Sequence, residues 1–272
     1  MVWNPQQYLA FEDHRLRPAL ELLTRIPLET ASNVADLGCG TGHVTRMMQA
    51  RWPNAKVLGL DSSPEMLEKA REVESKVEWQ EQDMNDWQPT QKLDVIYSNS
   101  TLHWMGGHRS LFPRLMSYLD PGGYLAVQMP GNFTAPTHTL VHEAARRGPW
   151  HEKLKPLLRP PPVMELAEYY AVLAPHSDSV DIWETTYMQT LEGDNPVAEW
   201  TKGTWLKPFL DALEEPERSR FEAEYRRLIL VAYPPGPAGK TLLPFRRIFV
   251  VARAPLRDRY GKTARRPSPP AR

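Results

Sequence analysis

Apolar and polar residues alternate with two different periods in the first half of the chain. Short apolar runs predict five strands, at residues 34–37, 56–61, 76–80, 93–98 and 124–129. Between these runs, apolar residues recur every three or four positions, which is typical of amphipathic helices. Strands and helices that alternate through short connections predict a parallel sheet with right-handed crossovers.

The ends and the second half of the chain depart from this alternation. Leucines at helical spacing predict a helix from about Arg15 to Ile26. For the second half we predict a proline-rich, partly helical segment, a strand, a group of helices and a last strand, at residues 131–178, 180–187, 195–232 and 246–252. Residues 254–272 contain four prolines and predict a disordered tail.

Composition limits the classes of protein that the chain can belong to. Its 272 residues are 41% hydrophobic and 24% charged, which predicts a globular protein with a substantial core. A net charge of +0 gives no electrostatic reason to expect a nucleic-acid partner. The single cysteine, Cys39, excludes an internal disulfide and a cysteine-based metal site. Because we find no signal peptide and no apolar run of membrane-spanning length, we expect no membrane partner and a cytoplasmic location.

A glycine-rich loop follows the first predicted strand. Asp36 precedes three glycines on alternate positions, Gly38, Gly40 and Gly42. A dinucleotide site would have a third glycine where this chain has His43, and a P-loop would continue into Gly-Lys-Ser/Thr. An acid beside such a loop repels a pyrophosphate and suits a ligand with cationic groups. S-adenosylmethionine, which carries an ammonium and a sulfonium, fits this description; an ordinary turn with structural glycines is the alternative.

Further polar residues follow the next strands of the predicted sheet. Asp61, at the end of the second strand, is placed to accept hydrogen bonds from both ribose hydroxyls. Asp83 is placed to accept from an adenine amino group, and Asn99 ends the fourth strand. Ligands bind at the carboxyl ends of parallel strands, where these side chains meet. Including residues added by the resemblance below, the predicted cofactor-binding set is Asp36, Gly38, Gly40, Gly42, Asp61, Ser62, Met66, Asp83, Met84, Asn99 and Ser100; Met66 could instead lie in the core.

At this point the chain resembles a known family. The glycine loop, Asp61, Asp83 and the turn at 120–123 are similar to those of class I S-adenosylmethionine-dependent methyltransferases. More specific segments resemble the trans-aconitate 2-methyltransferases, namely Trp3-Asn4-Pro5-x-x-Tyr8, Arg15-x-Arg17-Pro18-Ala19, Asp181-Ile182-Trp183-x-Thr185-Thr186-Tyr187 and Arg247-x-Phe249-x-Val251-Ala252-Arg253. One member of the family has glutamine before the tryptophan where this chain has His103, and the role of His103 stays open.

The resemblance implies a fold and a domain organisation. We expect a Rossmann-like α/β fold with seven strands, mostly parallel, and the last strand antiparallel. A sheet domain would comprise residues 31–130 and 179–253, with a helical cover from 131–178 and 195–240. Residues 1–30 would close over the cofactor.

The resemblance also implies a reaction. S-adenosylmethionine would donate a methyl group to one carboxylate of a small polycarboxylic acid, trans-aconitate first, and form a monomethyl ester. A carboxylate is already ionised at neutral pH, so no general base is expected and no residue is assigned a catalytic role. No metal is expected either.

Other carboxylates of such a substrate have to be held in place. Arginine suits this because its planar fork matches a carboxylate bidentately. Arg15, Lys207 and Arg246 are candidates from residue type, but the family positions favour others. The predicted substrate-binding residues are Tyr8, Arg17, Trp104, Trp200 and Arg247. Surface arginines and aromatic core packing remain the alternatives for these positions.

Three rival functions remain open from the sequence. The first is carboxyl methylation of a malonyl thioester on a carrier protein, which would need an exposed basic surface. The second is a cofactor-binding protein of the same fold without turnover. A nicotinamide oxidoreductase is the third, and the absence of the third dinucleotide glycine argues against it. The oligomeric state and the identity of the methylated carboxylate are not determined by the sequence.

Overall fold

A single seven-stranded sheet organises the chain. The structure is a computed structural model, and it describes residues 16–256. The strands are β1 (Asn33–Leu37), β2 (Lys56–Asp61), β3 (Glu78–Glu81), β4 (Leu93–Asn99), β5 (Leu119–Pro130), β6 (Ser179–Leu191) and β7 (Thr241–Arg253). Their order is β3–β2–β1–β4–β5–β7–β6. The first five strands pair in parallel, and antiparallel pairing joins β5, β7 and β6. The predicted fold class is therefore confirmed.

Ten α-helices lie in the described part of the chain. They are α1 (Leu16–Thr24), α2 (His43–Arg51), α3 (Pro64–Arg71), α4 (His108–Ser117), α5 (Pro136–Arg147), α6 (His151–Leu154), α7 (Leu166–Leu173), α8 (Pro196–Lys202), α9 (Lys207–Asp211) and α10 (Glu217–Ala232). The sequence explains where three of them begin. Ser63 caps α3 by accepting a hydrogen bond from the Met66 amide, and a proline stands in the first turn of both α5 and α8.

Helix α1 packs on β4 and on α2 through its apolar face. Leu20, Leu22 and Leu23 are at most 1% exposed, as their spacing predicted. The hydroxyl of Tyr97, in β4, donates to the carbonyl of Ala19 at 2.7 Å and satisfies a buried polar group on each side. Residues before Leu16, which are the first half of the predicted cofactor-closing segment 1–30, and those after 256, which include most of the predicted tail, lie outside the described residues.

The turn predicted at residues 120–123 is a bulge within β5 instead. Leu93 pairs with Leu119 and Val95 with Tyr124, so four residues of β5 lie opposite one residue of β4. Gly122 has a φ of +81°, which lets the extra residues loop out without ending the strand. A turn sequence does not reveal that the strand resumes its pairing in the same direction.

The described chain divides into two compact units. The first, which we call the sheet unit, contains residues 16–129, 164–183 and 248–256; the second, the helical unit, contains 130–163 and 184–247. This differs from the predicted cover, because α7 belongs to the sheet unit, where Tyr169 packs against Phe112 of α4 with ring centroids 4.8 Å apart. No helix among residues 16–256 is both long and apolar enough to cross a membrane.

Candidate cofactor and substrate sites

The glycine loop requires glycine for two different reasons. Gly38, Gly40 and Gly42 have φ values of +76°, +54° and +74°, a region that disfavours L-residues with a side chain. A Cβ at Gly38 would lie 2.0 Å from Oγ1 of Thr101, and one at Gly42 would lie 2.2 Å from the Trp79 ring. A Cβ at Gly40 would meet no atom within 4 Å. The two ends of the loop are therefore packed against other residues of the protein. Its centre, at Gly40, is open, so that a ligand can approach the backbone there.

Asp61 fixes the open part of this loop. Its Oδ2 accepts the Gly40 amide at 2.8 Å, and its Oδ1 accepts the Ser63 amide at 2.9 Å. Each carboxylate oxygen has two lone pairs, so each retains one after these bonds. The carboxylate is thus held rigidly and can still accept two further hydrogen bonds, as a ribose diol would require.

Asp36 lies beneath the loop and is 3% exposed. Burial raises the pKa of this carboxyl to about 7; the hydrogen bond from Thr45 Oγ1, at 2.6 Å, opposes the shift, and the charge of Asp61 adds to it. A buried acid with such a pKa is stabilised in its ionised form by a nearby cation. Burial also raises the pKa of the Cys39 thiol well above its usual range, so Cys39 is a small loop residue and not a nucleophile.

The residues predicted for the adenine lie at the ends of β2 and β3. Asp83 is exposed, and its Oδ1 accepts from both the backbone amide and the side-chain amide of Asn85, at 2.8 and 2.9 Å. Met66 is 41% exposed, which excludes the core alternative, whereas Met84 is 9% exposed. Ser62 is exposed beside them in the chain, directly after Asp61.

The end of β4 carries a strained residue that the pattern did not reveal. Ser100 has a φ of +57° although it is not glycine. Gln128 holds it from the neighbouring strand, since the Ser100 amide donates to the Gln128 carbonyl at 2.9 Å and its hydroxyl donates to Oε1 at 3.1 Å. Next to it, the buried Oδ1 of Asn99 has no hydrogen-bond partner among residues 16–256. An unsatisfied buried acceptor beside a strained residue marks a place where a ligand donor fits.

These observations test whether the residues present suit S-adenosylmethionine. The loop has an open cradle at Gly40, Asp61 keeps free lone pairs beside it, and Asp36 is an acid that a cation would stabilise. All the predicted cofactor residues belong to the sheet unit. These residues therefore suit the predicted cofactor, while its individual contacts remain predictions.

Some of the predicted substrate residues belong to the sheet unit, others belong to the helical unit, and one lies outside the described residues. In the sheet unit, Arg17 is exposed on α1, and Trp104 is 65% exposed in the 3₁₀ turn Leu102–Trp104 after β4. Its ring lies 4.6 Å from that of His103. Tyr8 lies outside the described residues, as does the further candidate Arg15. Roles for these residues stay predictions.

In the helical unit the structure brings two predicted residues together. Phe245 is the shared neighbour: the Arg247 guanidinium carbon lies 4.5 Å from its ring centroid, and the Trp200 ring lies 6.0 Å from it. Sequence reasoning missed Phe245, although its position two residues before Arg247 on β7 is a signal, because alternate strand residues share a face.

The other two basic candidates of this unit pair with acids. Arg246 lies 3.2 Å from Glu184, and Lys207 lies 2.6 Å from Asp211. Among residues 16–256, no three His, Cys, Asp or Glu side chains are grouped so that they could hold a metal ion.

Comparison with known proteins places this arrangement among methyltransferases. Residues 34–123 match the family model described as a methyltransferase domain. A protein named trans-aconitate 2-methyltransferase from Rhodococcus jostii (strain RHA1) is 47% identical over 253 residues, covering 92% of this chain and 99% of the relative. Proteins of the same name from Azoarcus sp. (strain BH72) and Escherichia coli (strain K12 / DH10B) are 44% and 43% identical over 92% of this chain, and 98% of each relative is covered.

Solved structures show a similar fold at much lower identity. The YcgJ protein from Bacillus subtilis has a TM-score of 0.56 and 16% identity, covering 89% of this chain and 99% of that chain. A phosphoethanolamine N-methyltransferase 2 from Haemonchus contortus, solved with S-adenosylhomocysteine, has a TM-score of 0.51 and 15% identity, covering 88% of this chain and 52% of that chain.

Proposed function

The chain belongs to the trans-aconitate 2-methyltransferase family and is an S-adenosylmethionine-dependent methyltransferase, and from this we propose that it methylates one carboxylate of a small polycarboxylic acid, with trans-aconitate as the first substrate. The near-complete coverage of relatives that carry this name is the observation that supports the proposal most strongly. The geometry of the sheet unit supports the cofactor half of it independently.

The cofactor supplies a methyl group activated by a sulfonium. The protein then has two tasks, because the accepting carboxylate is already ionised and needs no general base. It holds the carboxylate oxygen against the methyl carbon, which can contribute about 7–11 kcal/mol through positioning alone. It also keeps water from that oxygen, since hydration weakens a carboxylate as a nucleophile.

We assign the cofactor contacts to the sheet unit. The Gly40 backbone approaches the ligand, and the two free lone pairs of Asp61 accept from the ribose hydroxyls. Asp83 accepts from the adenine amino group with Met66 beside it. Buried Asp36 acts on the ammonium through its charge, since its 3% exposure offers almost no contact surface. Asn99 Oδ1 accepts from a cofactor donor.

We assign the substrate carboxylates to arginines. Arg247 is the first candidate because Phe245 packs against its guanidinium and limits its orientations. Arg17 is the second, and Tyr8, Trp104 and Trp200 are aromatic residues that exclude water from the reacting oxygen. The non-reacting carboxylates thereby fix which oxygen is methylated.

Transfer of labelled methyl groups from S-adenosylmethionine to a panel of di- and tricarboxylic acids tests the proposal. We expect a base-labile monomethyl ester that carries one negative charge fewer than the acid, with trans-aconitate preferred, and no transfer to its trimethyl ester, which lacks a free carboxylate. If a malonyl thioester on a carrier protein were labelled and no free acid were, the substrate would be the carrier-bound thioester and not a free polycarboxylic acid. Cofactor binding without transfer to either would leave only a binding protein.

A further inference from the structure

A chain of hydrogen bonds crosses the interior of the sheet unit, outside every residue assigned above. His108, the first residue of α4, lies between Tyr169 of α7 and the 3₁₀ turn after β4. Its Nδ1 is 2.6 Å from the Tyr169 hydroxyl, and its Nε2 is 2.9 Å from the Leu102 carbonyl. The Met164 amide donates to the same hydroxyl at 3.3 Å. Four groups from separate segments are thus joined in one line.

The direction of every bond in this chain is determined. A carbonyl oxygen only accepts, so the proton of a neutral His108 is on Nε2, and Nδ1 must be an acceptor. The Tyr169 hydroxyl therefore donates to Nδ1, and its oxygen accepts the Met164 amide. Each group in this chain uses its single proton once, and the backbone of Met105 also interacts with the ring.

Burial makes this chain costly to break. His108 is 2% exposed and Tyr169 is 0% exposed. Phe112 packs on both rings, with centroids 5.4 Å from His108 and 4.8 Å from Tyr169. Desolvation lowers the pKa of His108, which keeps the ring in the neutral form that the chain requires. Losing one partner would leave a buried polar group unsatisfied.

The chain of hydrogen bonds ends at the segment that follows β4 and contacts the glycine loop. The Leu102 carbonyl also accepts the Met105 amide at 3.0 Å, which is the bond that ends the 3₁₀ turn. The preceding residue, Thr101, contacts the loop, since its Oγ1 donates to the Gly38 carbonyl at 3.3 Å. A shift of Leu102 would therefore reach the loop and strained Ser100 through two covalent neighbours.

We propose that His108 and Tyr169 are positioning residues that hold the 3₁₀ turn after β4 in register with the glycine loop and thereby set the affinity for the cofactor. The inference rests on the proposed function for the assignment of cofactor contacts at residues 99–100. It predicts that the affinity for the cofactor depends on the hydrogen bond from His108 to Leu102, and not only on a polar side chain at position 108.

Five variants separate positioning from packing: four change a polar group, and the fifth, Phe112→Leu, changes packing alone. Tyr169→Phe removes the hydroxyl, and Tyr170→Phe is its control, because Tyr170 is the next residue of α7 and is 56% exposed. His108→Gln can keep a nitrogen donor near the position of Nε2 and so retain the Leu102 bond. His108→Asn keeps a polar group only near Nδ1, too short to reach Leu102.

Two measurements are made on each variant. Hydrogen–deuterium exchange of a peptide spanning residues 99–107, in the unliganded protein, reports the turn itself. Titration calorimetry with S-adenosylhomocysteine gives the Kd without turnover. For Tyr169→Phe and His108→Asn we expect faster exchange in that peptide and a Kd raised about threefold to tenfold, as for the loss of one buried hydrogen bond. His108→Gln keeps the Leu102 bond and loses the bond to Tyr169, so both of its values should lie between those of His108→Asn and wild type.

The outcomes separate the inference from the function on which it rests. Unchanged exchange and Kd in Tyr169→Phe and His108→Asn would overturn the inference, as would equal losses in Gln and Asn variants. A Phe112→Leu variant loses packing but no hydrogen bond, so a matching rise in its Kd would assign the effect to packing instead. If the wild-type protein bound no S-adenosylhomocysteine, the proposed function would fail, while the exchange measurement would still decide whether the chain holds the turn.

Discussion

The sheet unit and the helical unit use their charged groups differently. In the sheet unit, which also has the surface pairs Arg25–Asp181 and Arg109–Glu168, half-buried carboxylates accept hydrogen bonds from backbone amides, as Asp61 does from Gly40 and Ser63. In the helical unit, charges pair with one another on the surface, in the pairs Arg147–Glu143, Lys153–Glu217, Lys202–Glu222 and Arg227–Glu224, all within 2.8 Å. Carboxylates of the first kind fix a backbone, whereas pairs of the second kind leave it free.

This difference shows which charged residues carry functional information. An exposed ion pair contributes only about 0–1 kcal/mol, so the helical unit depends on its aromatic core, where Phe221 and Tyr225 are 0% exposed. A carboxylate that accepts from two backbone amides fixes the path of the loop that carries them. We therefore expect cofactor binding to respond sharply to changes in the sheet unit, and substrate binding to respond to few residues of the helical unit.

The largest effect should come from the glycine loop. Gly38→Ala combines backbone strain of about 1–2 kcal/mol with overpacking of about 1–3 kcal/mol against Thr101. Displacing the loop should also lower kcat/KM about 100-fold. Gly40→Ala is the matched variant, because its Cβ would meet no protein atom within 4 Å. Its stability should fall by the backbone strain alone, and its affinity for the cofactor should also fall. Chemical denaturation and steady-state kinetics measure the two losses, and equal destabilisation of both variants would refute the steric account.

Asp61→Asn should weaken cofactor binding next most strongly. The amide presents a donor to one backbone N–H and loses the charge, so the Kd for S-adenosylhomocysteine should rise up to about 100-fold, as for lost bonds to a charged group. Asp94 provides the control, since its Oδ2 also accepts two backbone amides, those of Ser32 and Asn33, at the opposite end of β1. Asp94→Asn should lower stability and leave the Kd unchanged; a similar rise in both variants would mean that stability alone controls binding.

Arg247→Ala should weaken binding of the acid substrate and leave binding of the cofactor unchanged. Loss of one bidentate carboxylate contact should raise KM for the acid about 30-fold, while the Kd for S-adenosylhomocysteine stays the same. Arg246→Ala removes the neighbouring guanidinium, which pairs with Glu184 at 3.2 Å, and should change KM little. An unchanged KM in Arg247→Ala would remove this residue from the substrate site.

The smallest effect is a pH dependence from Asp36. Its pKa in the unliganded protein is about 7, so below pH 7 a bound ammonium has to displace a proton. Affinity for S-adenosylhomocysteine should therefore rise about tenfold from pH 6 to pH 8 and then level off. Calorimetry in buffers of different ionisation enthalpy should detect the released proton at pH 6. Asp36→Asn should abolish both the slope and the release; a slope that persists in this variant would exclude Asp36 as its source.

Stability should move in the opposite direction. Because the folded-state pKa lies above the usual value of 3.8, the folded protein binds more protons than the unfolded chain between these values. The contribution of Asp36 to the unfolding free energy therefore falls as pH rises from 3.8 to about 7. Denaturation of the unliganded protein at several pH values, compared with Asp36→Asn, measures this contribution.

Sequence alone predicted the parts of the molecule whose signals are local. The parallel strands, the glycine loop after β1 and the position of Asp61 at the end of β2 followed from residues close together in the chain. The bond from Gly40 to Asp61 was not predicted. The link from Tyr169 to His108 spans 61 residues, and neither side chain belongs to a motif. Phe245 and the strained Ser100 were missed for the same reason: their roles depend on neighbours that only the folded chain supplies.

The strand order also has a consequence for synthesis. In the described sheet, β6 has β7 as its one neighbour, and β7 separates it from β5, although β7 is the last of the three to leave the ribosome. Until Thr241 and the residues after it emerge, β5 has an open edge and β6 has no strand to pair with. Such edges attract other chains. A nascent chain that stalls before Thr241 therefore presents two strands to aggregation, and we expect chaperones to engage it during that interval.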